Sequence, residues 1–204
     1  MDFLYAVDRT LFLFLNRTVA NPVLDWLMPI ITEEHNQYIP ILLIWLTLMI
    51  FCGKKGRITG LLIIIIITLS DQLSSSVIKP LVGRTRPCFV VDGVRLLIDQ
   101  SRSFSFPSSH ATNMAAAATL FSVKYPRGRI IIISIAAAVA YSRIYVGVHY
   151  PSDLVGGAIL GVLCAAVVLM AERLIVQWSQ KRKRDTSDSE QTDVSGISSV
   201  EGQG

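Results

Sequence analysis

Lys79 and Arg86 stand seven residues apart in the segment Lys79-Pro-Leu-Val-Gly-Arg84-Thr-Arg86-Pro87. A continuous helix would put both on one face, but Pro80 and Gly83 predict a bent segment that folds the two cations toward one point. A phosphate suits such a pair, because the Arg86 fork binds two oxygens at once and Lys79 adds a mobile point charge. A second segment, Phe106-Pro107-Ser108-Ser109-His110, reads as a helix start, with proline in the first turn and serines beside it. Its free backbone N–H groups and the positive end of the helix make a natural anion site, and His110 in the first turn is close enough to donate a proton to an anion held there. The serines serve equally well as caps, worth about 1 kcal/mol without any ligand. In the third segment, running from Ser142 and Arg143 to Asp153, His149 precedes a helix start at Pro151 and Asp153 follows four residues later. A carboxylate there fixes the tautomer of the imidazole and supports the charge that develops when its other nitrogen reacts. A purely structural His–Asp pair has the same spacing.

The elements that must position these groups are membrane helices. The chain has 204 residues, 51% hydrophobic and only 17% charged, with mean hydropathy +0.51, too apolar for an average soluble domain. Five segments, 38–53, 57–78, 108–124, 129–147 and 152–174, are long and apolar enough to cross a hydrocarbon core of about 30 Å. An earlier stretch, 3–32, is interrupted by Asp8, Arg9, Asn16, Arg17, Asn21, Pro22 and Asp25; it reads as an interfacial helix followed by a shorter crossing. The expected fold is an all-α integral membrane bundle of about six transmembrane helices with its active site at the outer end. Residues 1–178 form the membrane domain and 179–204 a basic, then acidic, disordered cytoplasmic tail.

Charge sets the orientation. The basic clusters Lys54, Lys55 and Arg57; Lys124, Arg127 and Arg129; and Arg173 with Lys181 to Arg184 all fall on one side, which the positive-inside rule makes cytoplasmic. The connection 79–107 falls on the other side yet carries Lys79, Arg84, Arg86, Arg95 and Arg102. Binding an anion is one reason to keep bases there, and a solvated loop is the other. Net charge is +4, but residues 185–204 hold five acids and no base, so the first 184 carry nineteen bases against ten acids. Such a body suits anionic lipid or an anionic substrate. Three scattered cysteines and three histidines indicate neither a disulfide framework nor a zinc site, and the N-terminus lacks the basic region of a signal peptide.

Two of the three histidines, with Lys79, Arg86 and Arg143, map to one end of the bundle, where buried charge marks function. The pattern K-x6-R-P, then P-S-x-H, then S-R-x5-H-x3-D resembles the membrane branch of the type-2 phosphatidic acid phosphatase family, whose soluble relatives include bacterial acid phosphatases and vanadium haloperoxidases. The likeness covers roughly residues 38–174. It implies that His149 attacks phosphorus to give a phosphohistidine, that Asp153 orients it, and that His110 protonates the leaving oxygen and then activates water. It further implies that Lys79, Arg86, Arg143, Ser108 and nearby backbone N–H groups, with Ser109 beside them, hold the phosphoryl oxygens. Ser109 departs from the glycine usual in the family; the backbone donor survives, and the hydroxyl alters pocket width or adds a contact.

Phosphoryl transfer spreads charge over three oxygens that preset cations can stabilise, so no metal or cofactor is expected. The resemblance extends to bacterial undecaprenyl diphosphate phosphatases, which makes undecaprenyl diphosphate the first expected substrate. Phosphatidic acid, phosphatidylglycerol phosphate and lipid A phosphates are alternatives, as are phosphotransfer to another acceptor and a non-catalytic lipid-phosphate carrier. The expected partners are the lipid substrate and membrane lipids, with no nucleic acid and no assigned oligomeric state; the expected location is the cytoplasmic membrane with the site facing outward. Elsewhere, Asp71 either positions Lys79 or Arg143 or pairs helices. Arg84 and Arg102 read as solvated loop charges, with a second phosphate as the other option. His35 reads as solvated, Gly156, Gly157 and Gly161 as a close helix-packing face, and Lys181 to Arg184 as an anchor on anionic lipid.

Overall fold

Long apolar runs punctuated by Pro, Gly and Asn give helices and, among the residues described by the computed structural model (2–99 and 102–201), no strand. Helix α1, Asp2–Leu13, runs into a π-helical turn, Phe14–Thr18. Asn21 caps α2, Pro22–Thr32, its side-chain oxygen accepting the Leu24 N–H at 3.0 Å. Then come α3, Glu34–Phe51, and α4, Gly53–Gln72, which continues through a second π-helical turn, Leu73–Ile78, into the short α5, Lys79–Val82. Gly83, left-handed at φ 63°, ends that run as the sequence predicts. Helix α6, Pro87–Val90, starts just after Arg86; α7 is Ser109–Lys124, α8 Arg129–Tyr145 and α9 Pro151–Glu201.

Three stretches are long and apolar enough to cross a membrane: Gly53–Val90, Pro126–Tyr145 and Pro151–Arg182. They carry outward-facing apolar side chains such as Ile64, Ile65, Ile131, Ile133, Ile159 and Leu163, which lipid tolerates and water does not. The other two expected spans are not among these three. Helix α3 opens on the polar residues Glu34 to Gln37, and α7, at 16 residues, rises about 24 Å. The first stretch divides as expected into two helices, and the second of them, 11 residues, rises only about 16 Å.

The site rests on a buried loop. Residues 142–150 are buried almost throughout, and a buried loop must have its backbone groups paired. Val146, Gly147 and Val148 donate back to Ser142, Ile144 and Arg143. The fully buried Asn16, in the first π-helical turn, donates to the carbonyls of Arg95 at 2.9 Å and Tyr145 at 2.7 Å and accepts the Arg95 N–H at 2.9 Å. Gly147 sits at φ 93°, where a Cβ would come within 2.6 Å of the Arg95 carbonyl oxygen, so only glycine makes this turn. Beneath the loop, Phe12, Val91, Ile144 and Tyr150 form one apolar cluster and Met28, Tyr145, Val146 and Val148 another.

Helices α7 and α9 approach closely, as the glycines on α9 predict. A Cβ on Gly157 would lie 2.7 Å from the Ser108 carbonyl oxygen, and one on Gly161 would lie 2.1 Å from that of Thr112. Two compact units emerge, Met1–Ala166 and Val167–Gly204. In the second unit the Arg182 guanidinium lies 5.5 Å over the Trp178 ring. The helix continues to Glu201 through the stretch for which composition predicts disorder; once a helix is nucleated, each added residue costs little. The acidic side chains of that tail and residues 202–204 lie outside the described residues.

Candidate active site

His149 is the last residue but one before α9, held in the buried loop and 1% exposed. Its Nδ1 lies 3.3 Å from Asp153 Oδ2, and its Nε2 lies 2.9 Å from Arg86 Nη1. A guanidinium only donates, so Nε2 accepts; Nδ1 therefore carries the proton and donates it to Asp153. The tautomer that leaves a lone pair on Nε2 is thus set by the neighbours on both sides. Burial drives the His149 pKa down to about 3, against the hydrogen bond it donates to Asp153 and with the charge of Arg86 adding to the depression. The imidazole is neutral at pH 7.

Arg86 is 3% exposed and uses its whole fork. Nε donates to the Ser103 carbonyl at 2.9 Å, Nη2 to the Ser103 hydroxyl at 2.9 Å, and Nη1 to the Val148 carbonyl at 3.2 Å as well as to His149. Helix-start geometry explains its position: α6 begins with Pro87, which fixes Arg86 in extended backbone beside the 102–105 segment. Asp153, in the first turn of α9 and fully buried, gathers donors from several elements. Its Oδ2 accepts from the Ser105 hydroxyl and, at 2.8 Å, from the Tyr150 N–H; its Oδ1 accepts from Arg84 Nη1 at 2.7 Å.

Ser108 caps α7, accepting the Ala111 N–H at 3.4 Å, and its own N–H donates to the Asp153 carbonyl at 3.1 Å. The helix begins at Ser109, so Pro107 lies just before the cap rather than inside the first turn. Lys79 Nζ donates to the Ser109 hydroxyl at 2.8 Å, and Ser74 and Ser75 of the second π-helical turn also meet that hydroxyl, at 3.3 and 3.0 Å. The side chain that replaces glycine here holds the lysine. Arg143, in the last turn of α8, donates from Nη1 to the Thr32 hydroxyl at 2.6 Å, while its buried Nε has no partner among the described residues. His110 Nε2 is 4.0 Å from Glu34 Oε1, and the charges of Arg143 and Lys79, together with His149, all reach its ring.

Of the eight residues singled out by their motifs, Arg86, His149 and Asp153 touch in a single line, Ser108 joins them through its N–H to the Asp153 carbonyl, Lys79 meets Ser109, and the side chains of Arg143 and His110 meet Thr32 and Glu34 instead. Arg84 corrects the sequence expectation: it is no solvated loop charge, since it pairs with both Asp153 and Asp8, at 2.7 and 2.6 Å. Asp71 accepts from Asn113 at 3.2 Å, the helix-pairing alternative. Ser103 and Ser105 went unread; their alternation with Phe104 and Phe106 is the signal of an extended stretch presenting both hydroxyls on one side. No three His, Cys, Asp or Glu side chains among the described residues group as a metal site.

The family model described as the PAP2 superfamily matches residues 60–183. The chain is 34% identical over 176 residues to a lipid A 4'-phosphatase of Bacteroides thetaiotaomicron, covering 79% of this chain and 75% of that one. It is 32% identical to an undecaprenyl-diphosphatase of Sulfolobus acidocaldarius, covering 68% and 66%. Among solved structures it superposes on a transmembrane PAP2-type phosphatidylglycerolphosphate phosphatase of Bacillus subtilis with TM-score 0.70 and 26% identity, over 86% of this chain and 89% of that one. That likeness and the three apolar stretches support a membrane location.

Proposed function

The chain belongs to the PAP2 superfamily, and from that membership we propose that it is a lipid phosphatase in which His149 is the nucleophile. The observation that carries this reading is the line Arg86–His149–Asp153, which leaves the Nε2 lone pair as the reactive atom. In the proposed reaction Nε2 forms a bond to phosphorus while the bond from phosphorus to the lipid oxygen breaks. His110, which takes up a proton as the phosphate anion enters beside it, gives that proton to that oxygen, and the lipid alcohol or lower phosphate leaves. Water then attacks the phosphohistidine, yields its proton to His110, and releases inorganic phosphate as the nitrogen–phosphorus bond breaks. Lys79, Arg86, the open Nε of Arg143 and the start of α7 meet the charge on the phosphoryl oxygens, with Ser108 and Ser109 shaping that cradle.

The substrate class follows from setting: a phosphate group on a membrane lipid. The wide coverage of the lipid A 4'-phosphatase relative favours a lipid A type 4'-phosphate, and the archaeal relative supports undecaprenyl diphosphate as the second reading. We further propose six crossings in the cytoplasmic membrane with the site on the outer face, on the strength of the charge asymmetry in the loops.

The test is phosphate release by purified protein in detergent from lipid A, undecaprenyl diphosphate, phosphatidylglycerol phosphate and phosphatidic acid in parallel. Release that disappears in His149→Ala supports the mechanism and ranks the head groups. Full activity in that variant removes His149 as nucleophile.

A further inference from the structure

Asp153 is the hub on which the nucleophile depends, and one of its bonds leads out of the motif residues altogether. Arg84 Nη1 donates to Asp153 Oδ1 at 2.7 Å and to the Ser152 hydroxyl at 2.6 Å, while Nη2 donates to Asp8 Oδ2 at 2.6 Å. Asp8 in turn accepts the Ser152 N–H at 2.9 Å and the Ser152 hydroxyl at 2.5 Å. The guanidinium lies over the Tyr150 ring, its Cζ 4.0 Å from the centroid, and that ring also meets Tyr5 at 6.0 Å. Asp8, Arg84 and Ser152 thus close a ring of hydrogen bonds to which the Asp153 carboxylate is tied through Arg84, and Asp8 is only 9% exposed.

We propose that Asp8 and Arg84 are positioning residues for the His149–Asp153 pair, so that the first helix is a working part of the active site. This rests on the phosphatase reading above. The argument is geometric and electrostatic. A carboxylate free to rotate could offer either oxygen to His149; the Arg84 bond to Oδ1 holds the carboxylate plane and leaves Oδ2 toward the imidazole. Arg84 alone, however, would offset the negative charge that Asp153 must present. As Nε2 bonds to phosphorus, with Nδ1 still protonated, the ring becomes cationic, and a neutral Asp153–Arg84 pair would do little for it. Asp8 restores the balance: two carboxylates about one guanidinium leave one net negative charge beside His149. The separation of roles is clear, since Asp8 touches neither the imidazole nor the phosphate cradle and acts through Arg84 and Ser152.

The substitution Asp8→Asn keeps the size of the side chain and removes its charge. Measured on the lipid panel above, kcat is expected to fall about tenfold with KM within about twofold of the unaltered protein, because the charge is felt only as the imidazole becomes cationic. Ile66→Ala, a cavity variant in the buried part of α4, is the control: its melting temperature in detergent drops while kcat per folded molecule stays within about twofold. Arg84→Lys, which cannot reach Asp8, Ser152 and Asp153 together, is expected to lose at least as much kcat as Asp8→Asn. Wild-type kcat in Asp8→Asn, or an equal fall of kcat in Ile66→Ala, overturns the positioning role while phosphate release by the unaltered protein keeps the hydrolase reading intact. No release from any lipid by the unaltered protein overturns the hydrolase reading itself.

Discussion

Arg86 Nη1 lies 2.9 Å from His149 Nε2, on the edge of the imidazole opposite Asp153. The atom proposed to attack phosphorus is therefore hydrogen-bonded before any substrate arrives. In the proposed reaction a phosphoryl group entering the cradle exchanges partners with it: phosphorus takes the Nε2 lone pair and an equatorial oxygen takes the Arg86 N–H. One guanidinium then both holds the resting nucleophile and receives the charge made by its attack.

Replacing that fork tests the exchange. Arg86→Lys keeps the charge but cannot serve the two Ser103 acceptors, the Val148 carbonyl and His149 at once. Its kcat/KM is expected to fall roughly 10²-fold, the loss typical of one preset oxyanion donor. Initial rates of phosphate release measure it, and an unchanged rate would mean that charge alone suffices.

The buried imidazole makes stability depend on pH. His149 titrates near 6.5 when unfolded and, driven down by burial, near about 3 in the folded protein. Between those values the unfolded chain binds a proton that the folded chain does not, so stability present above pH 6.5 is lost as pH falls toward 3. Melting curves in detergent are expected to show a smaller acid loss for His149→Asn than for the unaltered protein. Equal losses would show that another group controls the acid limb.

Helix α9 packs against α7 through Gly161, where a Cβ would come within 2.1 Å of the Thr112 carbonyl oxygen. Gly161→Leu forces the helices apart and carries Ser108 with them, since Ser108 caps α7. A destabilisation of roughly 1–3 kcal/mol or more is expected from such overpacking, read as a lower melting temperature in detergent together with reduced kcat. A variant with unchanged melting and rate would show that the helices separate without strain.

Phosphate release is expected to continue at an unchanged rate in excess chelator, because in the proposed reaction Lys79, Arg86, Arg143 and the start of α7 meet the phosphoryl charge. Loss of release that a divalent ion restores would contradict that account.

Local motifs marked the candidate site residues because each lies at a helix end signalled by proline or serine: Arg86 before Pro87, Ser108 as a cap, His149 before Pro151. Those boundaries survive in the structure to within a residue or two. Asp8 and Arg84 were not legible, because their pairing joins positions 76 residues apart and leaves no local period. In the sequence Asp8 is merely a charge that interrupts an apolar run. The signal was there in one respect, since an acid in a membrane-facing helix needs a buried partner. Gly161 shows the opposite case, where a small residue on an apolar helix announced close packing correctly. The spans were harder, since α3 and α7 owe their place to neighbours as much as to hydropathy.

Asp8 and Ser152 are joined across 144 residues of chain, which has a consequence for biosynthesis. At about 5–20 residues per second, α1 waits on the order of ten seconds for the residue that completes its ring of hydrogen bonds. A partly translated chain already holds Lys79, Arg84 and Arg86, yet Arg84 has only Asp8 to pair with. Hydrolysis can begin only when the last helix has arrived, so the nascent protein stays inert toward the lipids around it until its translation is nearly done.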